Sequence, residues 1–494
     1  MSYENAVASM LALGHELAQT PSHKFDLAHM RVLLEALDHP ERRFPSVLIA
    51  GTNGKGSTAA TLASILNASG LKTGLYTSPH LVRINERIRL NGQEISDADF
   101  SGLHGEVDRV AERLVAQGEV PWHPSFFEMM TAIAFEHFAR EHVDIAVLEV
   151  GMGGRLDATN VVDPRVSVIT DISLDHQKFL GNTVSEIAEE KVGIIRRGGV
   201  VVTLPQQPEA NDVIGNTIMN VGARAVNAVP YVPPVSPASA GYLVRVASKE
   251  KVSRRLDSKS ESNEESAEDS AVGAGNSNTV YVYRYPLQVM GKQIVVETPL
   301  VGRHQLRNVA LAIATAEELS GQGFVGISPE AIERGIRETH WPGRFQVIPA
   351  RVSPTKGSPE QGPAEPSSPE LVLDVAHNPA GAWALRSTLS ERYEDRRMIF
   401  VFGAMRDKAI SEMTEILFPL AERVFATRPE NPRSASPEEI QQAGVRTGSE
   451  VEVAPDVASA LQRATVLAGP SGVVVITGSI YLVGEVMRLV GARV

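Results

Sequence analysis

The chain has 494 residues, 43% of them hydrophobic, enough for two or three domains at roughly 150 residues each. A formal charge of -12 opposes general nucleic-acid binding, which needs clustered Lys and Arg, and the absence of cysteine excludes disulfides, thiolate metal sites and cysteine nucleophiles. The start, "MSYENAVASMLALGHELAQ", has no basic segment leading into an apolar core, and no run of about 18 apolar residues occurs, so a soluble cytoplasmic protein with no membrane partner is expected.

Short β-branched runs alternate with helical patterns, the signature of strand-helix-strand units on a parallel sheet. The first run, "SVLIA" (46–50), leads into "GTNGKGST" (51–58) and then a helical stretch. A glycine-rich turn between strand and helix adds free backbone N–H groups to the positive end of the helix, a cradle for polyphosphate. Gly51, Gly54 and Gly56 allow close approach, Lys55 would reach the terminal phosphates, and Ser57 or Thr58 would face a magnesium ion. The spacing departs from the general G-x-x-x-x-G-K-[ST] pattern: two residues, Thr52 and Asn53, separate the first glycines, and Gly56 precedes the hydroxyl. By itself this loop leaves a switch, a kinase and a ligase open.

Further strands are expected at "TGLYT" (73–77), "DIAVLEV" (144–150), "VSVIT" (166–170) and "GVVVTL" (199–204). Open α/β sheets place ligands at the carboxyl ends of their strands. Ser78 follows the second strand, and Glu149 sits at the end of an apolar one, where a carboxylate needs a cation or hydrogen bonds. "GMGGRLDATN" (151–160) offers turn glycines, Arg155 and Asp157; "LDH" puts Asp175 and His176 at the same rim; Lys191 ends the helix of "TVSEIAEEKVGII". From about Val229 to Asn278 the texture turns Pro-rich and then polar with little to bury, and a disordered surface insertion is expected there; "SPTKGSPEQGPAEPSSPE" (353–370) is similar and reads as a loop extension. A helix begins at "GRHQLRNVALAIATAEEL", and a second strand series follows: "LVLDVA" (371–376), "MIFVFGA" (398–404), "RVFAT" (423–427) and "GVVVITGS" (472–479). Two α/β domains are expected, 1–343 and 344–494, divided at "WPGRF" (341–345), where Pro342 and Gly343 punctuate the chain.

The combination of "GTNGKGST", "TSPHL" with "NERI", "EVGMGGRLDATN", "LDH", "EK", "GRHQLRN", "PGRF", "DVAHNP" and "TGSIYL", in this order over about Lys24 to Glu485, resembles the folylpolyglutamate synthase and dihydrofolate synthase family, within the Mur-ligase-like ATP-dependent amide ligases. The extra glycine of the phosphate loop looks like the folate branch; the peptidoglycan ligases place the hydroxyl directly after lysine.

The resemblance implies a P-loop ATPase domain of Mur-ligase type followed by a smaller Rossmann-like α/β domain, and a monomer. It implies ATP contacts at Thr52, Asn53, Gly54, Lys55, Gly56, Ser57, Asn308, Arg344 and Asp374, with Lys55, Lys191 and His377 as catalytic groups. Two magnesium ions are implied, held by Ser57, Ser78, Glu149, His176 and a carbamylated Lys191. Pterin contacts fall at Asp26, Leu27, Ala28, Ser125, Phe126, Phe127, Glu128, Leu156, Asp157 and Ala158; glutamate contacts at His377 and Ser479. Phe126 and Phe127 also read as helix core, and Ala28, His29 and Met30 depart from the family's usual D-L-G motif. The implied activity is addition of L-glutamate to dihydropteroate, to the γ-carboxylate of folates, or to both, through an acyl phosphate. The rival readings are a peptidoglycan-type ligase of the same group and a nucleotide-dependent switch; a second α/β domain has no evident role in a switch.

Overall fold

The computed structural model describes residues 1–14, 27–234, 243–247, 279–350 and 367–492. Asp26 and most of the two polar insertions lie outside the described residues. The expectation of disorder from about Val229 to Asn278 is corrected in part: within it Val229–Tyr231 forms a 3-10 turn, and Leu243–Ala247 forms a strand held by pairing with Thr279–Tyr283.

The first sheet contains β1 (Ser46–Ala50), β2 (Thr73–Tyr76), β3 (Ile88–Leu90), β4 (Gln93–Glu94), β5 (Ile145–Glu149), β6 (Val166–Ile169), β7 (Val200–Thr203) and β8 (Arg224–Asn227). Its order is β4-β3-β2-β5-β1-β6-β7-β8; the β2–β3 and β3–β4 pairs are antiparallel and the rest parallel. Every residue of β1 is buried. Its alternate side chains serve two cores: Val47 and Ile49 face helices Lys55–Ala68 and Arg303–Gly321, and Leu48 and Ala50 face helix Phe126–Arg140. The β1 neighbours are β5 on one side and β6 on the other. The crevice beyond the carboxyl end of β1 therefore lies where the winding of the sheet reverses.

A three-stranded antiparallel sheet follows, β9 (Leu243–Ala247), β10 (Thr279–Val289) and β11 (Lys292–Thr298). The sequence reading missed it, although "TVYVYRYPLQV" and "KQIVVET" are β-rich runs joined by Met290-Gly291. Both turn residues have positive φ, 51° and 76°, which suits a tight hairpin. Tyr283 and Tyr285 are buried in the core, and Arg392 stacks over Tyr281 at 3.6 Å, linking this sheet to helix Pro379–Tyr393.

The last sheet, the second of the two whose strand ends border the cleft and called the second sheet below, holds β12 (Gln346–Ile348), β13 (Glu370–Leu373), β14 (Met398–Phe402), β15 (Arg423–Ala426), β16 (Val451–Val453) and β17 (Val473–Thr477), ordered β12-β13-β17-β14-β15-β16, with only β12 antiparallel to its neighbour. β8 and β16 escaped the sequence reading because they are edge strands, partly solvated and short of the apolar run that marks a central strand. The loops after β1, β5 and β6 face those after β13, β14 and β17 across one cleft.

Candidate active site

The phosphate loop leaves β1 and enters helix Lys55–Ala68. Gly54 has φ +88°, and a β-carbon there would sit 2.2 Å from the Asn308 side-chain oxygen. Gly56 explains the unusual spacing differently. A β-carbon on it would meet the Trp341 ring at 2.9 Å and Glu149 Oε2 at 3.3 Å, so the extra glycine makes room for an indole from the connection between the sheets. Lys55 Nζ donates to the carbonyls of Gly51 (3.2 Å) and Thr52 (3.3 Å).

Thr52 and Asn53 brace this loop. Their amides both donate to the Asp171 carbonyl (2.9 and 3.1 Å), and Thr52 Oγ1 exchanges hydrogen bonds with the backbone of Ser173. Asp171 is held in turn by Arg307, whose Nη2 lies 2.6 Å from it. These two amides are thus committed to the neighbouring loop, a use the motif does not reveal. Asn308 Nδ2 donates to Gln305 Oε1 and leaves its oxygen beside Gly54.

Glu149 ends β5 buried, and its Oε2 accepts from Ser78 N at 3.2 Å. Ser57 is buried one turn into the adjoining helix. His176, in left-handed backbone conformation (φ 50°), has a buried Nδ1 with no hydrogen-bond partner among the described residues. Burial, reinforced by the charges of Lys408 and His377 and opposed by Asp175, pulls its pKa down to about 3. No three His, Asp or Glu side chains among the described residues gather as a metal cage. The implied set is therefore not one preformed cluster. One carboxylate, hydroxyls and an orphaned imidazole nitrogen lining a phosphate pocket nevertheless fit magnesium, which commonly takes one or two carboxylates and completes its shell with water and phosphate oxygens.

Lys191 is buried, and its Nζ donates to the same Gly51 carbonyl at 2.8 Å. Burial first, then the Lys55 charge, lowers its pKa to about 7, against the pull of Asp175 and Asp157. The loop 151–160 rests on this helix: Arg155 N donates to the Glu190 carbonyl at 2.8 Å.

The groups expected at the pterin end divide by role. Asp157 is buried and spends its carboxylate on Thr159 N, Thr159 Oγ1 and Met152 N, so it shapes its loop. Ser125 and Glu128 cap helix Phe126–Arg140 reciprocally. Phe126 is buried under Arg87 at 5.1 Å and also lines the cavity, whereas Phe127 is half-buried beside Tyr76. Leu27, Leu156 and Ala158 line the cavity. Ala28 does not: it lies on the exposed face of helix Leu27–Ala36, because the helical period turns Leu27 and Met30 inward. The reading missed His29 and Trp122, which line the cavity and meet edge to face at 4.8 Å.

Across the cleft, Asp374 accepts from Phe345 N (2.8 Å) and Ala376 N (2.9 Å); burial raises its pKa to about 6, against these bonds. Arg344 is packed over the Trp341 ring at 4.8 Å, and burial lowers its pKa against the opposing charges of Glu149 and Asp374. His377 Nδ1 is 2.9 Å from the Val375 carbonyl. Ser479 caps helix Ile480–Val490 through Tyr481 N. Two further residues, Asn378 and Lys408, were not anticipated. Both follow strand ends of the second sheet, so the rim rule applied to the first sheet would have found them.

Most of these rim groups, though not Asn378, line one cavity of about 1240 Å³, with the phosphate loop, the Phe127 end and the second-sheet rim as its walls. Fold and site together define an ATP-dependent ligase with an N-terminal nucleotide-binding domain and a C-terminal α/β domain. Residues 125–223 match the Mur ligase middle domain and residues 364–480 the Mur ligase glutamate ligase domain. The Bacillus subtilis dihydrofolate synthase/folylpolyglutamate synthase is 32% identical over 466 residues, 94% of both chains. The Mycobacterium tuberculosis folylpolyglutamate synthase complexed with ADP and AMPPCP superposes with TM-score 0.76 at 31% identity, covering 99% of each chain. An E. coli FolC structure in complex with DHPP and ADP gives TM-score 0.73 at 27% identity, covering 99% of this chain and 98% of that one. The chain belongs to the dihydrofolate synthase/folylpolyglutamate synthase family. Among the described residues no helix is long and apolar enough to cross a membrane.

Proposed function

We propose that the protein, acting as a cytoplasmic monomer divided at 1–343 and 344–494, carries out both reactions of its family. It would join L-glutamate to dihydropteroate and to the γ-carboxylate of folates, with ATP as co-substrate. The observation that supports this most is the single cavity reaching from the phosphate loop to the Phe127 end and across to the second rim.

A carboxylate is a poor acyl donor until its oxygen becomes a good leaving group. In this scheme the folate or pteroate carboxylate attacks the γ-phosphorus and expels ADP. The glutamate amine then attacks the acyl carbon, loses a proton and expels phosphate. Lys55 has to leave the Gly51 and Thr52 carbonyls to meet the transferring phosphoryl group, where a fixed cation offsets developing charge. Magnesium bound through Ser57, Ser78, Glu149 and His176 would neutralise phosphate oxygens during the same transfer. Lys191, with a pKa near 7, carries a substantial fraction of free amine at neutral pH, the form that attacks carbon dioxide to give a carbamate. That anion would suit a second hard cation. Arg344 and Asp374 stand at the junction of the walls, Asn308 beside Gly54, and His377 and Ser479 on the wall proposed for glutamate. Closing the cleft protects the acyl phosphate from water.

Purified protein given ATP, labelled glutamate and either dihydropteroate or tetrahydrofolate is expected to yield the corresponding glutamylated product with each acceptor, read by mass. ADP release without glutamate incorporation would contradict the reading, and product from one acceptor alone would restrict it to that reaction.

A further inference from the structure

One buried carboxylate in the cleft has no part in the scheme above. Asp175 lies two residues beyond Ser173, on the rim of the first sheet, yet most of its side-chain partners come from the second. Its Oδ1 accepts from Lys408 Nζ at 2.5 Å and from the His176 amide at 2.8 Å. Its Oδ2 accepts from Asn378 Nδ2 at 3.0 Å and stands 3.6 Å from His377 Nε2. The Asp175 and Lys408 side chains are 6% and 8% exposed, so this pair is withdrawn from water. A buried carboxylate needs such partners, and among the described residues the ammonium that reaches it comes from the second rim. The contact continues into the phosphate loop: Asn378 and Asn53 exchange side-chain amide bonds at 3.0 and 3.4 Å. With both oxygens occupied and an ammonium at 2.5 Å, Asp175 is poorly placed to hold a metal cation itself.

We propose that Asp175 is a positioning residue that latches the second rim to the first and so fixes where Lys408, His377 and Asn378 stand relative to the phosphate loop. The glutamate side of this inference rests on the proposed function; the closure side does not. An open cleft leaves Asp175 and Lys408 hydrated and apart. A closed cleft lets both shed water only when they meet, so the pair rewards one alignment of the rims. Asn378 carries that alignment to Asn53, beside the residues that hold phosphate.

The test uses the full-length protein and the variants Asp175→Asn, Lys408→Met, their combination, and Asn378→Ala. Small-angle X-ray scattering is recorded with a non-hydrolysable ATP analogue and folate. The wild-type particle is expected to contract on ligand addition, and Asp175→Asn and Lys408→Met to contract less. Each single variant is expected to raise the glutamate KM about tenfold or more, leave analogue affinity within about twofold, and leave the double variant no worse than the worse single. Variants that contract as wild type does, single effects that multiply in the double variant, or loss of analogue binding in Asp175→Asn would overturn the latch. If Asp175→Asn does not fold, Lys408→Met and Asn378→Ala decide by the same scattering readout. A wild type that transfers no glutamate defeats the proposed function, and the contraction measurement still judges the latch.

Discussion

The two rims that face each other across the cleft are built differently. On the first sheet, the loops after β1 and β6 are bonded to one another, through Thr52, Asn53, Asp171 and Ser173, and two lysines converge on the Gly51 carbonyl. On the second sheet, Asp374 fixes its own turn and the Phe345 amide and Ser479 caps its own helix, while Asn378 and Lys408 find partners on the opposite rim. A self-braced rim suits a group whose geometry must precede binding, such as a phosphate cradle. A rim whose polar groups are completed from across the cleft works only when the cleft is shut. The energetic consequence is that first-rim substitutions should strike the chemistry, and second-rim substitutions the assembly of the reactive state.

The sharpest test of the first half is Lys55→Ala. It should lower kcat for glutamate addition by about 10²- to 10³-fold, the usual cost of losing one fixed group that meets developing charge. The Lys55 bonds are confined to its own loop, so the thermal midpoint should stay near that of the wild type. Retention of near-original turnover would remove phosphoryl transfer from this loop.

Lys191 should come next, with a loss of about 10²-fold on substitution by methionine if it supports a bound cation. It also separates structure from chemistry through pH. The unfolded chain keeps the lysine proton up to its ordinary pKa of 10.5, whereas the folded chain keeps it only to about 7. Between these values unfolding takes up a proton, so this residue makes native stability rise with pH, by at most about 1.4 kcal/mol per unit. Denaturant midpoints at pH 7 and pH 9 should show that rise in the wild type and a flatter profile in Lys191→Met. Equal profiles would mean that the amine stays charged in the fold.

Gly56→Ser tests how the connection between the rims touches the cradle. The new side chain would press on Trp341 and Glu149, displacing the loop enough to lower kcat/KM by roughly tenfold. Adding Trp341→Ala should recover part of that loss. If it recovers none, the indole is not what the extra glycine accommodates.

What the sequence disclosed follows the same division. The central strands were legible because burial on both faces leaves uninterrupted apolar runs, as in β1, β5 and β17. The phosphate loop and Glu149 were legible because glycines and a lone carboxylate at strand ends contradict their surroundings. The hairpin of β10 and β11 was overlooked for its proximity to a polar insertion, although its turn was written in Met290-Gly291. For Asn378 and Lys408 the strand-end rule marks the position but not the role, which depends on an aspartate more than 200 positions away, a pairing that no local pattern encodes. Asp157 and Glu128 show the reverse limit. Each falls in a motif and lines the cavity, and the structure adds that each carboxylate also holds its own turn, which the motif does not reveal.

The smallest expected effect lies at the far end of the first rim, where Phe127 meets Tyr76 at 6.0 Å and lines the cavity. Its ring is half-buried, whereas Phe126 is core, so Phe127→Ala should disturb substrate more than fold. An aromatic contact contributes about 0.5–1.5 kcal/mol beyond its buried area, so the KM for dihydropteroate or folate should rise by roughly 2- to 10-fold. The KM for ATP should stay unchanged, because the phosphate loop braces itself through Asp171 and Ser173. Phe126→Ala is the control, opening a core cavity and lowering the thermal midpoint. If neither variant changes the KM for dihydropteroate or folate, the aromatic end of the cavity holds no substrate, and the first rim would be organised around phosphate alone.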